Sequence, residues 1–179
     1  TINVVAKDAD DDETTALNIP VKITVTDIEP GLGWAEGLDD DDRRLSLTTS
    51  DDLTANDPVS ILSLLKVTNG DGEAALSYTI DTSKMSEVFA YVGNEWVKLE
   101  AGNLSYNAAT STLTAKVDTT TVFTLAVADG QAIFTQNVEL RHDKKSHDES
   151  FDIEGITINV VAKDADDDQT TALNIPAKI

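Results

Sequence analysis

Asp8, Asp10 and Asp12 stand at alternate positions in the run Ala6-Lys7-Asp8-Ala9-Asp10-Asp11-Asp12, and Asp164, Asp166 and Asp168 repeat the spacing near the other end of the chain. Carboxylates spaced in this way, in a turn between strands, can be aimed at one centre. A hard cation is what such a centre binds, and Ca2+ takes roughly six to eight oxygen ligands. The run is not an EF-hand, because Glu13 stands where that loop requires Gly and Ile19 where it requires its closing Glu. Nor does the chain carry the glycine-rich nonapeptide of a calcium β-roll. A solvated turn is the alternative for any run of charges; the position beside a domain junction favours calcium. Asp27 and Glu29, in Thr26-Asp27-Ile28-Glu29-Pro30-Gly31, add two more carboxylates at that junction. The run Asp39 to Asp42 is followed by Arg43 and Arg44, so an ion-paired or solvated loop is expected there rather than a metal site.

Other constellations carry less. His142, His147 and Ser150 share one charged segment, but nothing in it orients a base against a nucleophile or supplies an oxyanion site, so the chain is read as not an enzyme. Acids are so abundant that no pair of them points to glycoside hydrolysis. Trp34, Trp96, Tyr78, Tyr91 and Tyr106 could form a sugar-stacking face, and core packing accounts for them equally well.

Charge narrows the function classes. With 13 basic and 33 acidic residues the net charge is −20, which repels nucleic acid and anionic membranes and attracts cations. The absence of cysteine rules out disulfides and thiolate metal sites, so stabilisation must come from elsewhere. No stretch approaches the roughly 20 apolar residues of a membrane span, and direct membrane insertion is not expected. Targeting signals are expected outside this stretch.

The elements that would position these loops are strands. Apolar residues alternate at period two almost throughout, as in sheets with one wet face. The clearest case is Leu17 to Val25, where Leu17, Ile19, Val21, Ile23 and Val25 point one way; Pro20 within it marks an edge or a bulge. Further strands are read at 2–6, 76–80, 88–92, 95–99, 112–117, 122–128, 132–140 and 156–162. Turn signals separate them at Asn69-Gly70-Asp71-Gly72, Gly93-Asn94, Gly102-Asn103 and Asp129-Gly130. Val59 to Val67 fits a short helix as well as a strand. Short strands at this spacing predict an all-β antiparallel sandwich.

The strongest organisational signal is a repeat. Residues 1–23 and 157–179 agree at 21 of 23 positions, differing only at Glu13/Gln169 and Val21/Ala177, with an offset of 156 residues. Recurrence at the length of a domain is expected of a tandem repeat cut from a longer array. On this reading residues 1–30 are the last two strands and linker of a preceding repeat. Residues 31–179 are then one nearly complete repeat, truncated in its final strand.

The run VELRHDKKSHDESFDIEGITINVVAKDADDDQTTALNIP, continued in the first copy by VKITVTDIEPG, resembles the closing half of the tandem repeats in type I-secreted RTX adhesins of Gram-negative bacteria. Those repeats close with an acidic DADGD-type loop, an alternating strand and an Asp before a proline. More distantly the run is similar to cadherin domains, whose A-x-D loop and strand-terminal Asp bind calcium between modules. Ala6-Lys7-Asp8 and Asp27 occupy those places. The middle of the repeat is similar only loosely. Asp11 and Asp167 stand where the adhesin loop has Gly, and Asp tolerates left-handed backbone better than most residues. Ile28-Glu29 replaces the cadherin linker's Asn-Asp.

The resemblance implies an Ig-like or cadherin-like antiparallel β-sandwich in tandem. It implies an extracellular, cell-surface extender or stalk, calcium-stiffened, in an adhesin that projects a distal ligand-binding region in settings such as biofilms. Its partners would be neighbouring repeats of the same polypeptide, with surface glycans or host and biofilm components engaged by other domains. The alternative is an adhesin module that itself binds a carbohydrate or a protein; a third reading is a surface domain whose acidity serves solubility alone. Near-identity of the copies favours the spacer, since a unit contributing length needs no diversification. Calcium is expected to bind Asp8, Asp10 and Asp12, with Asp27 and Glu29 sharing the site of Asp8 and Asp10. The site of Asp164, Asp166 and Asp168 is expected to be incomplete, because the counterpart of Asp27 would fall at position 183. The strands of residues 1–30 are expected to pair with a neighbouring molecule or to pack on this chain's own domain.

Overall fold

Strands dominate the computed structural model, which describes residues 1–49, 53, 57–141 and 152–179. In chain order they are β1 (Ile2–Val4), β2 (Leu17–Ile19), β3 (Gly31–Trp34), β4 (Leu45–Ser46), β5 (Val59–Ser60), β6 (Leu65–Thr68), β7 (Ala75–Asp81), β8 (Phe89–Val92), β9 (Glu95–Lys98), β10 (Leu104–Asn107), β11 (Thr112–Val117), β12 (Thr120–Ala128), β13 (Gln131–Gln136), β14 (Leu140–Arg141), β15 (Ile156–Lys163) and β16 (Leu173–Lys178). A five-stranded antiparallel sheet runs β10-β11-β12-β13-β5, and a four-stranded sheet runs β4-β16-β15-β7. Smaller sheets pair β14-β8-β9 and β3-β6. The fold is an all-β, sandwich-type architecture, as the sequence pattern predicts. No helix among the described residues is long and apolar enough to cross a membrane.

Period-two patterning explains which faces are buried. Along β15, Ile156, Ile158, Val160 and Ala162 are buried while the residues between them are half-buried. Phe123, Leu125 and Val127 of β12 and Phe134 of β13 supply the facing layer of one continuous core, with Phe123 and Phe134 in tilted contact at 5.2 Å. Close-packed side chains of this kind carry most of the fold's stabilisation.

Several expectations are refined. Val59 to Val67 is neither one helix nor one strand: β5, a 3-10 turn at Leu62–Leu64 and β6 follow each other through it. The strand read over 132–140 breaks after Gln136, and its two parts join different sheets, β13 beside β12 and β14 beside β8. Pro176, the counterpart of Pro20, lies just before β16 meets β4, a parallel contact that begins at Ala177 and needs no amide hydrogen from the proline.

The two copies of the repeated segment differ sharply in setting. Residues 1–29 are all exposed, and among the described residues β1 and β2 pair only with each other. Ile19 is 43% exposed where its counterpart Ile175 is 0% exposed, and Ile2 is 56% exposed where Ile158 is 0%. Among the described residues the first copy therefore does not pack on this chain's own core. The alternating run Leu17 to Val25 keeps only Leu17–Ile19 as strand, because a strand needs a partner on its free side and none of the described residues provides one. At Pro30 the chain becomes buried, and β3 starts at the next residue.

Candidate metal centre

The acidic loop is built from its own sequence. After β15 the chain turns at Asp164, whose Oδ1 accepts the Asp168 amide at 3.0 Å. The Asp164 amide donates to the Asp168 carbonyl at 3.1 Å, and Thr170 Oγ1 accepts the Ala162 amide at 3.1 Å. Asp167 takes a left-handed φ of 81°, and Lys163 pairs with its carboxylate at 2.5 Å. The first copy repeats the same turn without any surrounding core. There Asp8 Oδ1 accepts the Asp12 amide at 3.0 Å, Asp11 has φ 72°, and Lys7 lies 3.2 Å from Asp11. Identical geometry in a buried and an exposed setting means the loop is specified locally. Asp in place of Gly at its left-handed position is accommodated in both copies.

Strand register brings other segments to the second loop. Gly31 pairs with Thr68 in the β3–β6 ladder, which sets the linker 27–30 beside the turn Asn69–Gly72. Ala75 pairs with Lys163 in the β7–β15 ladder, which sets that turn beside the loop 164–168. Gly70 is the point of closest approach. A Cβ there would stand 2.1 Å from Asp164 Oδ2, 2.4 Å from the Ile28 carbonyl oxygen and 2.9 Å from Pro30 N. No side chain fits, which is why the N-G-D-G turn needs glycine at this position.

The outcome is a set of carboxylates from three segments. Asp164, Asp166 and Asp168 form one group, and Asp27, Asp71 and Asp166 form a second, each with one oxygen per residue within 4.8 Å of the others. Asp164 is only 6% exposed, and its Oδ2 has no hydrogen-bond partner among the described residues. A buried carboxylate oxygen left without a donor is costly, so this atom marks a place where a cation fits. Opposite oxygens across one Ca2+ lie about 4.6–5.2 Å apart, and its tolerance of irregular oxygen shells suits carboxylates gathered from separate segments better than the strict octahedron of Mg2+ does.

The titration behaviour reflects crowding of like charge. Asp27 is pushed above the ordinary carboxylate range, first by the charge of Asp168, then by burial and by Asp71. Asp166 is pushed up to about 6, first by its hydrogen bond with the Asp164 side chain and then by burial. Burial acts to raise Asp164, but the Asp166 carboxyl and the surrounding backbone amides outweigh it and hold Asp164 below the ordinary value. Without a cation, the two carboxyls hold a proton between them only below about pH 6.

The structure groups the sequence-predicted residues differently from the expectation. Asp8, Asp10 and Asp12 come together, but as a separate exposed group that excludes Asp27. Asp27 turns forward, to segments that follow it in the chain, and meets Asp71 and Asp166. The second loop is thus joined by the linker acid already present in the chain, not left waiting for position 183. Glu29 is exposed and belongs to none of the three groups among the described residues. Asp71 was missed; it sits between the glycines of a turn signal, and only the ladder registers reveal what it faces. In the run 39–42, Asp39 Oδ1 accepts the amides of Asp41 and Asp42 and Arg43 pairs with Asp40 at 2.9 Å, an ion-paired turn. Trp34, Tyr78 and Tyr106 pack against the core, while Trp96 stacks on Tyr91 and lies under Arg141 at 3.9 Å, so they do not form one sugar-stacking face. His142, His147 and Ser150 lie outside the described residues.

Among known proteins, residues 39–175 match the family described as "Domain of unknown function (DUF5801)". No curated protein and no solved structure matches the chain.

Proposed function

The chain belongs to the DUF5801 family, and from its geometry we propose that it is a tandem β-sandwich repeat that binds calcium where the linker meets the sandwich. In this reading it is an extracellular spacer, a stalk segment of a large bacterial surface adhesin that holds a distal ligand-binding region away from the cell. The observation that carries the calcium assignment is the unpartnered Oδ2 of buried Asp164, at the meeting point of linker, turn and acidic loop. The spacer assignment is supported by the near-identical segments 156 residues apart and by the resemblance of the closing segment to RTX adhesin repeats. Asp164, Asp166 and Asp168, with Asp27 and Asp71, would hold the cation, which supplies only charge neutralisation and cross-linking; no reaction is involved. Binding to the folded state alone stabilises by mass action, about 2.7 kcal/mol at a hundredfold excess over Kd. Thermal melts in CaCl2, in MgCl2 and in NaCl of matched ionic strength test the reading. Calcium is expected to raise Tm more than either other salt, and equal shifts in all three would leave acidity serving solubility alone.

A further inference from the structure

The first copy of the repeated segment is a closing hairpin that keeps its shape without a core beneath it. Ile2, Asn3 and Val4 pair with Ile19, Asn18 and Leu17 in the register that joins Ile158, Asn159 and Val160 to Ile175, Asn174 and Leu173. The bridge between Lys7 and Glu13 likewise repeats that between Lys163 and Gln169. Strand pairing and the apolar face are therefore formed before anything covers them. The second copy shows what covers that face, since Ile158, Val160 and Ile175 are 0% exposed. β7 pairs along β15 from Asp81 to Ala75, β4 meets Ala177 and Lys178, and the Ile153 and Ile179 backbones exchange two hydrogen bonds at the end away from the acidic loop. We infer that this seat is an interaction surface for a second copy of this chain, whose first hairpin takes the place of the resident closing hairpin and joins the molecules head to tail.

The side chains fit. Ile2, Val4, Ala6, Ile19 and Ile23 match the buried Ile158, Val160, Ala162, Ile175 and Ile179. Only Val21 differs, standing for Ala177, which is 3% exposed and pairs with Leu45. Its two extra methyls must be accommodated, and this favours the resident hairpin. A chain's own first hairpin cannot reach the seat. Asp27 lies against Asp166 at the loop end of β15, whereas Ile23 would have to occupy the place of Ile179 at the other end. The eight residues of β15 span about 23 Å, and the four residues from Ile23 to Asp27 reach at most about 14 Å. Docking is therefore between molecules. The resident hairpin holds the seat because it is tethered beside it; once it is released, exchange of an identical element costs little. Nothing in the exchange requires a bound cation.

The full chain carrying Ile158→Asp and Ile175→Asp tests this, because its own closing hairpin is expelled while its first hairpin is intact. It is expected to form oligomers that lengthen with concentration, read by size exclusion with light scattering, and to keep the parent's strand circular dichroism; the parent is expected to be monomeric. Adding Ile2→Asp and Ile19→Asp is expected to abolish both the oligomers and the strand signal. A disulfide reads the register, since the chain has no cysteine. Asn159 pairs with Thr79, and its Nδ2 donates to Thr79 Oγ1 at 3.3 Å. Asn3→Cys with Thr79→Cys in the released variant is thus expected to give a disulfide-linked ladder on oxidation, and Asn3→Cys without Thr79→Cys no species larger than a dimer. A released variant that stays monomeric, folded or not, would overturn the exchange. So would oligomers that survive the first-hairpin substitutions, or oligomers that yield no ladder.

Discussion

At the level of single residues, Asp167 shows how the acidic loop is made. Its φ of 81° is a conformation that L side chains adopt at a cost, and Asp11 reaches φ 72° in a copy with no surrounding core. The strain therefore belongs to the turn itself and is offset locally, by the Lys163–Asp167 pair and by the amides folded onto Asp164. Asp167→Gly removes the strain and the ion pair together, and is expected to change stability by no more than about 0.5 kcal/mol. Asp167→Val places a β-branched side chain in the same conformation and is expected to cost about 1–2 kcal/mol. Urea unfolding of both variants in EDTA checks the pair, and equal costs would mean that the pairing with Lys163, not the backbone, sets the position.

The repeated segment provides an internal experiment at the level of strands. Ile2 and Ile158 occupy the same place in the same sequence, yet one is 56% exposed and the other 0%. Ile158→Ala is expected to cost about 2–5 kcal/mol, as a large-to-small change in a packed core. Ile2→Ala is expected to stay within about 0.5 kcal/mol, as surface changes do. Urea midpoints of the two variants decide it; comparable losses would mean that the first copy is packed in solution. The contrast also marks the limit of reading the sequence. Alternation made β7, β11, β12 and β15 legible, since each is a run of apolar residues at period two with one buried face. It could not reveal β3, built from Gly31-Leu32-Gly33-Trp34, or the two-residue β4, which exist through their partners. The site divides in the same way. Each Asp-x-Asp-x-Asp loop is local and readable, but Asp71 joins it through two ladder registers. With two identical loops in the sequence, only the structure tells which of them Asp27 faces.

For the whole molecule the controlling quantity is charge. A chain of net charge −20 brings Asp27 against Asp71, Asp164, Asp166 and Asp168, and at neutral pH their repulsion opposes seating of the linker. Sodium chloride screens such repulsion beyond about 8 Å at physiological ionic strength, but carboxylates closer than that are screened little. A cation coordinated among them acts at the contact distance itself. Calcium is therefore expected to slow amide hydrogen exchange of residues 27–29, where matched NaCl is not, and to make the chain's small-angle scattering less flexible. Asp27→Asn should weaken both effects. Gly70→Ala isolates the seating from the charge, because it alters no carboxylate, yet its methyl would fall 2.1 Å from Asp164 Oδ2 and 2.4 Å from the Ile28 carbonyl. The linker cannot stay where it is with that methyl in place. Gly70→Ala is thus expected to abolish calcium-dependent protection of residues 27–29 while β12, in the other sheet, keeps its own. If the variant retains full protection of the linker, seating does not depend on the close approach at Gly70, and the stiffening of the junction must come from contacts elsewhere in the chain.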